Sequence, residues 1–188
     1  KFSNFSKKIF KNFDLCLSSS KESFNYLKRL NFRNIKLIGN LKYSQAESEN
    51  LYLDKNLNKF LSINNSWCAS STHESEELFI GQTHKILKKK IKKLVTIIIP
   101  RHIERCFIIK QDLEKLNLKV HLNEPKKKID PSTDIYLVNS YGKTKSFYKR
   151  CNNVFLGGSL IKHGGQNPLE AARYGCSIVS GPNVQNFK

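Results

Sequence analysis

Leu94-Val95-Thr96-Ile97-Ile98-Ile99-Pro100-Arg101-His102-Ile103-Glu104-Arg105 is an apolar run broken by proline and then by charge. A strand with one wet face alternates apolar and polar residues, whereas a strand covered on both faces does not. The run therefore predicts a strand over Leu94–Ile99 inside a parallel sheet, with Arg101 projecting from its carboxyl end. Ile135-Tyr136-Leu137-Val138 has the same character.

Working outward, strand Ser66–Ser70 and helix Glu74–Lys90 precede this run. Helix Ile103–Leu116, strands Lys119–Leu122 and Ile135–Asn139, and helix Lys145–Arg150 follow it. Strand Asn153–Leu156, helix Pro168–Tyr174 and strand Ser177–Ser180 complete the series. Such repetition predicts a doubly wound α/β sheet with ligands at the carboxyl ends of its strands. Nearer the N-terminus, strand Asp14–Ser18, helix Lys21–Leu30 and strand Ile35–Gly39 form a smaller series. Residues 42–65 are rich in Asn, Ser and Glu, with one short helix expected around Asn56–Ser62. The expected organisation is the end of one Rossmann-like domain over 1–45, a linker over 46–65, and a second such domain over 66–188.

Composition narrows the function classes. An apolar fraction of 39% supports a packed core and argues against global disorder. The chain has no Met and both ends fall inside patterned sequence, which reads as an internal portion of a longer protein. Its net charge of +18 comes mostly from Lys, with Arg only at 29, 33, 101, 105, 150 and 173. Base and phosphate recognition favours Arg. The charge therefore reads first as a solvated surface, next as attraction to an anionic membrane surface or substrate, and last as nucleic-acid binding. Five widely spaced cysteines without metal spacing read as buried free thiols. No metal or cofactor is expected, since no two His or carboxylates show ligand spacing on one element. No apolar run approaches the ~20 residues a membrane span needs.

Four candidate site segments sit just after strands. In Ser70-Ser71-Thr72-His73-Glu74-Ser75-Glu76-Glu77, Ser71 or Thr72 can cap a helix, with Glu74 or Glu76 closing a capping box, or touch a ligand. Arg101 either grips a phosphate or carboxylate or pairs with Glu104. Asn139-Ser140-Tyr141-Gly142-Lys143 is a polar turn whose backbone can meet a base or ribose. The fourth is Gly157-Gly158-Ser159-Leu160 with His163-Gly164-Gly165-Gln166-Asn167-Pro168-Leu169-Glu170. Here Asn167 suits a helix cap, Pro168 the first helical position, and Glu170 a ribose acceptor or dipole partner.

These motifs, with Gly39-Asn40-Leu41-Lys42 before them and Gly181-Pro182 and Asn186-Phe187-Lys188 after, resemble the 3-deoxy-D-manno-octulosonic acid (Kdo) transferases of lipopolysaccharide synthesis. The resemblance spans nearly the whole chain and implies a two-domain GT-B glycosyltransferase fold. It implies transfer of Kdo from CMP-Kdo to a lipid A precursor at the cytoplasmic face of the bacterial inner membrane, with inversion and without metal. It further implies that Pro100 and Arg101, the turn Tyr141-Gly142-Lys143, and Asn167, Pro168, Leu169 and Glu170 contact CMP. Lys42 matches the family's lysine that stabilises transition-state charge, and Ser71, Thr72, Gly158 and Ser159 are further donor contacts. The family usually has a carboxylate where Lys143 stands and often Ala where Ser70 stands. Its catalytic base is a carboxylate of the N-terminal domain, of which this chain carries only the end. The rival readings are another GT-B glycosyltransferase or sugar-nucleotide epimerase with a uridine donor, and a non-catalytic basic module binding lipid or nucleic acid.

Overall fold

The computed structural model describes residues 3–39, 52–124 and 127–187. The chain divides into two units, Lys1–Glu49 and Asn50–Lys188. In the first, helix α1 (Ser3–Phe10) precedes strand β1 (Cys16–Ser18), helix α2 (Lys21–Arg29) and strand β2 (Ile35–Leu37). β1 and β2 pair in parallel, Cys16 opposite Ile35. Helix α2 starts where the Ser20 hydroxyl accepts the Ser23 N–H, and it buries Leu27. Helix α1 is not among the elements expected from the sequence.

The second unit contains helix α3 (Lys55–Ser62), strand β3 (Asn65–Thr72), helix α4 (Glu76–Lys88), strand β4 (Leu94–Pro100) and helix α5 (Cys106–Lys115). Strands β5 (Val120–Leu122) and β6 (Ile135–Leu137), helix α6 (Thr144–Tyr148), strand β7 (Asn153–Leu156), helix α7 (Leu169–Arg173) and strand β8 (Ser177–Ser180) follow. The strands form one parallel sheet in the order β5-β6-β4-β3-β7-β8, a Rossmann-like doubly wound α/β arrangement. Every residue of β4 is buried. Val95, Ile97 and Ile99 join a core with Leu57, Phe60, Phe147 and Val154, whereas Ile98 joins a second core with Ile80, Ile109, Leu113 and Phe155. Cover on both faces is the physical reason the β4 sequence does not alternate.

Helix α3 falls in the stretch read as a polar linker, yet it does more than connect. Leu53, Leu57, Phe60 and Leu61 are all buried in the first core. The Asp54 carboxylate caps the helix by accepting the N–H groups of Asn56 and Leu57. Its apolar positions were visible in the sequence, but the surrounding Asn and Lys residues hid their common face.

The chain leaves β3 for β4 on one side and returns as β7 on the other. The carboxyl ends of β3 and β7 therefore flank the point where strand order reverses, and such folds open a ligand crevice there.

Candidate functional site

Three strand ends are stitched together at this crevice. Strand β3 ends in a bulge, with Ser71 at φ 55° and a register shift between Ser70 and Thr72. The Gly157 N–H donates to the Ser70 carbonyl at 2.8 Å, and the Arg101 N–H donates to the Thr72 carbonyl at 2.9 Å. A Cβ on Gly157 would lie 2.3 Å from the Ser71 carbonyl oxygen, so only glycine lets β7 approach the bulge this closely. Ser75, at φ 72°, turns the chain so that α4 begins at Glu76 rather than Glu74.

Glu76 is the hub of the site. Its buried carboxylate accepts the N–H groups of His73 at 2.9 Å, Gly158 at 2.7 Å, Ser159 at 3.1 Å and Leu160 at 3.0 Å. The glycine turn, whose free N–H groups suit an anion, thus encloses a carboxylate supplied by the protein itself. From spacing alone Glu76 is only a capping-box candidate, since the donors of this turn lie more than 80 residues later. Neighbouring Glu77 is buried against Arg105 and accepts the Thr72 hydroxyl at 3.1 Å. Burial raises the Glu77 carboxyl above its ordinary range, with Arg105 opposing.

Several expected ligand contacts are internal instead. The buried Thr72 hydroxyl goes to Glu77. The buried Ser159 hydroxyl donates to the Leu156 carbonyl at 2.5 Å and accepts the Gly181 N–H at 2.8 Å. The Gly158 N–H is held by Glu76, and Ser71 is only partly covered. The Ser159 carbonyl accepts Asn183 donors, and the Gly164 carbonyl accepts the Asn186 N–H, so the segment 181–187 straps the glycine turns from outside.

Arg101 behaves differently. It is exposed just beyond buried Pro100, and among the described residues its guanidinium has no hydrogen bond or ion pair. Glu104, its expected alternative partner, instead lies 3.3 Å from His102. Three imidazoles gather at the same end of the sheet. His73 and His163 have ring centroids 4.4 Å apart, and His73 meets His102 edge-on at 6.1 Å. This grouping is not legible from spacing, because the three residues follow three different strands.

The other predicted residues lie at the same end of the sheet. Asn167 accepts the Leu169 N–H at 3.0 Å, capping α7, with Pro168 at φ −76° just before it. Asn167 through Glu170 are all partly exposed. Tyr141 and Gly142 are exposed, and Lys143 lines a hollow of about 530 Å³ with Asp54, Glu124, Asn139 and Ser140. Lys42 lies outside the described residues. Among those described, no group of three or more His, Cys, Asp or Glu is placed to hold a metal ion.

No family model matches the chain. It is 29% identical over 155 residues to the 3-deoxy-D-manno-octulosonic acid transferase of Haemophilus influenzae, covering 81% of this chain and 36% of that protein. It is 33% identical over 158 residues to a probable mitochondrial 3-deoxy-D-manno-octulosonic acid transferase of Arabidopsis thaliana, covering 79% and 35%. The chain thus spans little more than a third of the length of these relatives. Among solved structures it is similar to the C-terminal CMP-Kdo binding domain of WaaA from Acinetobacter baumannii. That similarity has a TM-score of 0.64 at 32% identity, covering 70% of this chain and 69% of the other.

Proposed function

The chain belongs to the 3-deoxy-D-manno-octulosonic acid transferase family of glycosyltransferases, and from this we propose that its second unit binds the CMP-Kdo donor. The observation that carries the reading is Arg101: a guanidinium with no partner among the described residues, just past the end of a fully buried strand and one strand away from the point where strand order reverses. In this reading Arg101 takes the phosphate and Glu170 the ribose hydroxyls. The turn 141–143 and its hollow receive the cytosine, Lys143 through its backbone.

The whole protein would transfer Kdo to a lipid A precursor in lipopolysaccharide synthesis, at the anionic cytoplasmic face of the inner membrane. Transfer would proceed with inversion and without a metal. The departing group is a phosphate anion, and fixed cations stabilise the charge that develops on it. Lys42 would add a second cation. The first unit would then be the end of the acceptor-side domain, whose carboxylate base deprotonates the acceptor hydroxyl.

Calorimetry with CMP and UDP tests the donor assignment. We expect CMP to bind and UDP to compete poorly. Arg101→Ala and Glu170→Ala should each weaken CMP by about tenfold or more, as loss of a charge-assisted hydrogen bond does. Equal affinity for UDP, or CMP affinity unchanged in both variants, overturns the assignment.

A further inference from the structure

Just after β7 the backbone donors nearest the strand end are already taken. The N–H groups of Gly158, Ser159 and Leu160 go to Glu76, that of Gly157 to Ser70, and that of Gly165 to the Gly158 carbonyl. An anionic group at that strand end therefore meets side chains. Beside Arg101, those are imidazoles.

His73 has a fixed orientation. Its Nδ1 lies 3.0 Å from the Ser71 carbonyl oxygen, which can only accept, so Nδ1 carries a hydrogen. In the neutral ring Nε2 is then a bare acceptor, and in the charged ring it becomes a donor. The residue is only 9% exposed, whereas His102 and His163 are open to solvent. Three groups face it: His163 from the segment after β7, His102 from the end of β4, and the Glu76 carboxylate of α4 at 3.8 Å. Glu76 is already surrounded by four backbone donors. Burial first, and then His163, holds His73 below the ordinary imidazole range, while Glu76 pulls the other way. Glu76 is the carboxylate that faces a charged His73–His163 pair, and its four backbone donors already offset its charge, so a second positive charge there is disfavoured.

We infer that His73, His102 and His163 form a proton-linked anion seat. A phosphate monoester dianion binds there together with a proton taken up by the His73–His163 pair, and the resulting imidazolium donates an N–H to a phosphate oxygen. The inference rests on the nucleotide reading above and adds three residues and a proton to it. Binding at this seat strengthens as pH falls toward the imidazole range, because the bound form holds one more proton than its separate parts.

The test uses the 188-residue chain with ¹⁵N-labelled histidines near pH 7.5, titrated with CMP, cytidine and inorganic phosphate. CMP is expected to move the His73 and His163 Nε2 shifts toward the imidazolium value, and cytidine to leave them in place. Calorimetry of CMP in HEPES and in Tris is expected to read uptake of up to about one proton. His163→Asn, a change at an exposed position, is expected to abolish the uptake and weaken CMP about tenfold, with cytidine affinity unchanged. CMP binding without imidazole shifts, or with uptake retained in His163→Asn, overturns the seat. If CMP does not bind at all, the nucleotide reading fails and phosphate decides the seat: imidazole shifts with phosphate support it, and their absence overturns it.

Discussion

Two carboxylates are buried at opposite ends of the same sheet, and they are satisfied by opposite means. Glu76, at the carboxyl end, is held by four backbone N–H groups. Asp134, at the amino end of β6, accepts the Lys119 N–H at 3.0 Å and the Lys88 ammonium. It also faces His84 Nε2 at 3.4 Å, and His84 Nδ1 meets the Thr96 hydroxyl at 2.8 Å. At the amino end, side chains are spent on one another and the network closes. At the carboxyl end, backbone neutralises the buried charge, and Arg101 and the imidazoles remain for a ligand. In the proposed reading, the end that binds is the one where the cations beside the buried carboxylate are left over, which is also where this fold places its ligands.

Removing Glu76 should have the largest effect. Glu76→Ala strands four backbone donors in a buried turn, and each unmet donor costs about 1–3 kcal/mol. Partial relaxation of the turn should leave a net loss of about 4 kcal/mol in urea unfolding, a large share of a domain's stability. Glu76→Gln keeps one acceptor oxygen but turns an NH₂ toward N–H groups, so it should fall between Ala and the native residue. A loss below about 1 kcal/mol for Ala would mean the turn does not depend on its internal anion.

The amino-end network should show itself in pH dependence. Burial holds the His84 imidazole below its ordinary 6.5, with Asp134 pulling upward. The unfolded chain then binds a proton that the folded chain refuses, so stability falls as pH drops below about 6.5. Asp134 is shifted in the same direction for the opposite reason, because its charged form is favoured. Burial works against its charge, but the Lys119 N–H and Lys88 hold it below its ordinary 3.8. Its contribution is therefore complete above 3.8 and lost only as pH falls through the lower folded value. His84→Gln should reduce the slope between pH 6.5 and 5 by at most about 1.4 kcal/mol per pH unit. His73 and His121, also held low chiefly by burial, keep the remainder. An unchanged slope in unfolding midpoints would show that the amino-end histidine is not refused its proton.

The asymmetry between the two ends was only half legible in the sequence. Strands β4, β7 and β8 could be read to within a residue, and in β4 burial on both faces leaves the unbroken apolar run that made this possible. Arg101 was legible for the same reason, since a charge at the end of such a run has one place to go. Glu76 was not. Three carboxylates stand at positions 74, 76 and 77, and which of them turns inward is set by the αL residue Ser75 and by donors from β7. The imidazole grouping depends likewise on strand order, which pairs β3 with β7 across 85 residues of sequence. Lys42, assigned by resemblance alone, lies among residues outside those the structure describes.

Arg101→Ala should have the smallest effect on stability, and that small effect separates the two ends most cleanly. The guanidinium is exposed and has no partner among the described residues. Its backbone N–H, the group that ties β4 to Thr72, survives the substitution. The unfolding midpoint should thus move by no more than about 0.5 kcal/mol, as for a surface change away from any network. CMP affinity should fall at the same time. Such a split, a binding loss with no folding loss, is what a side chain held in reserve for a ligand must show. If Arg101→Ala destabilised the chain by 2 kcal/mol or so, the residue would belong to a closed network like that of Asp134. The carboxyl end would then hold no cation to spare.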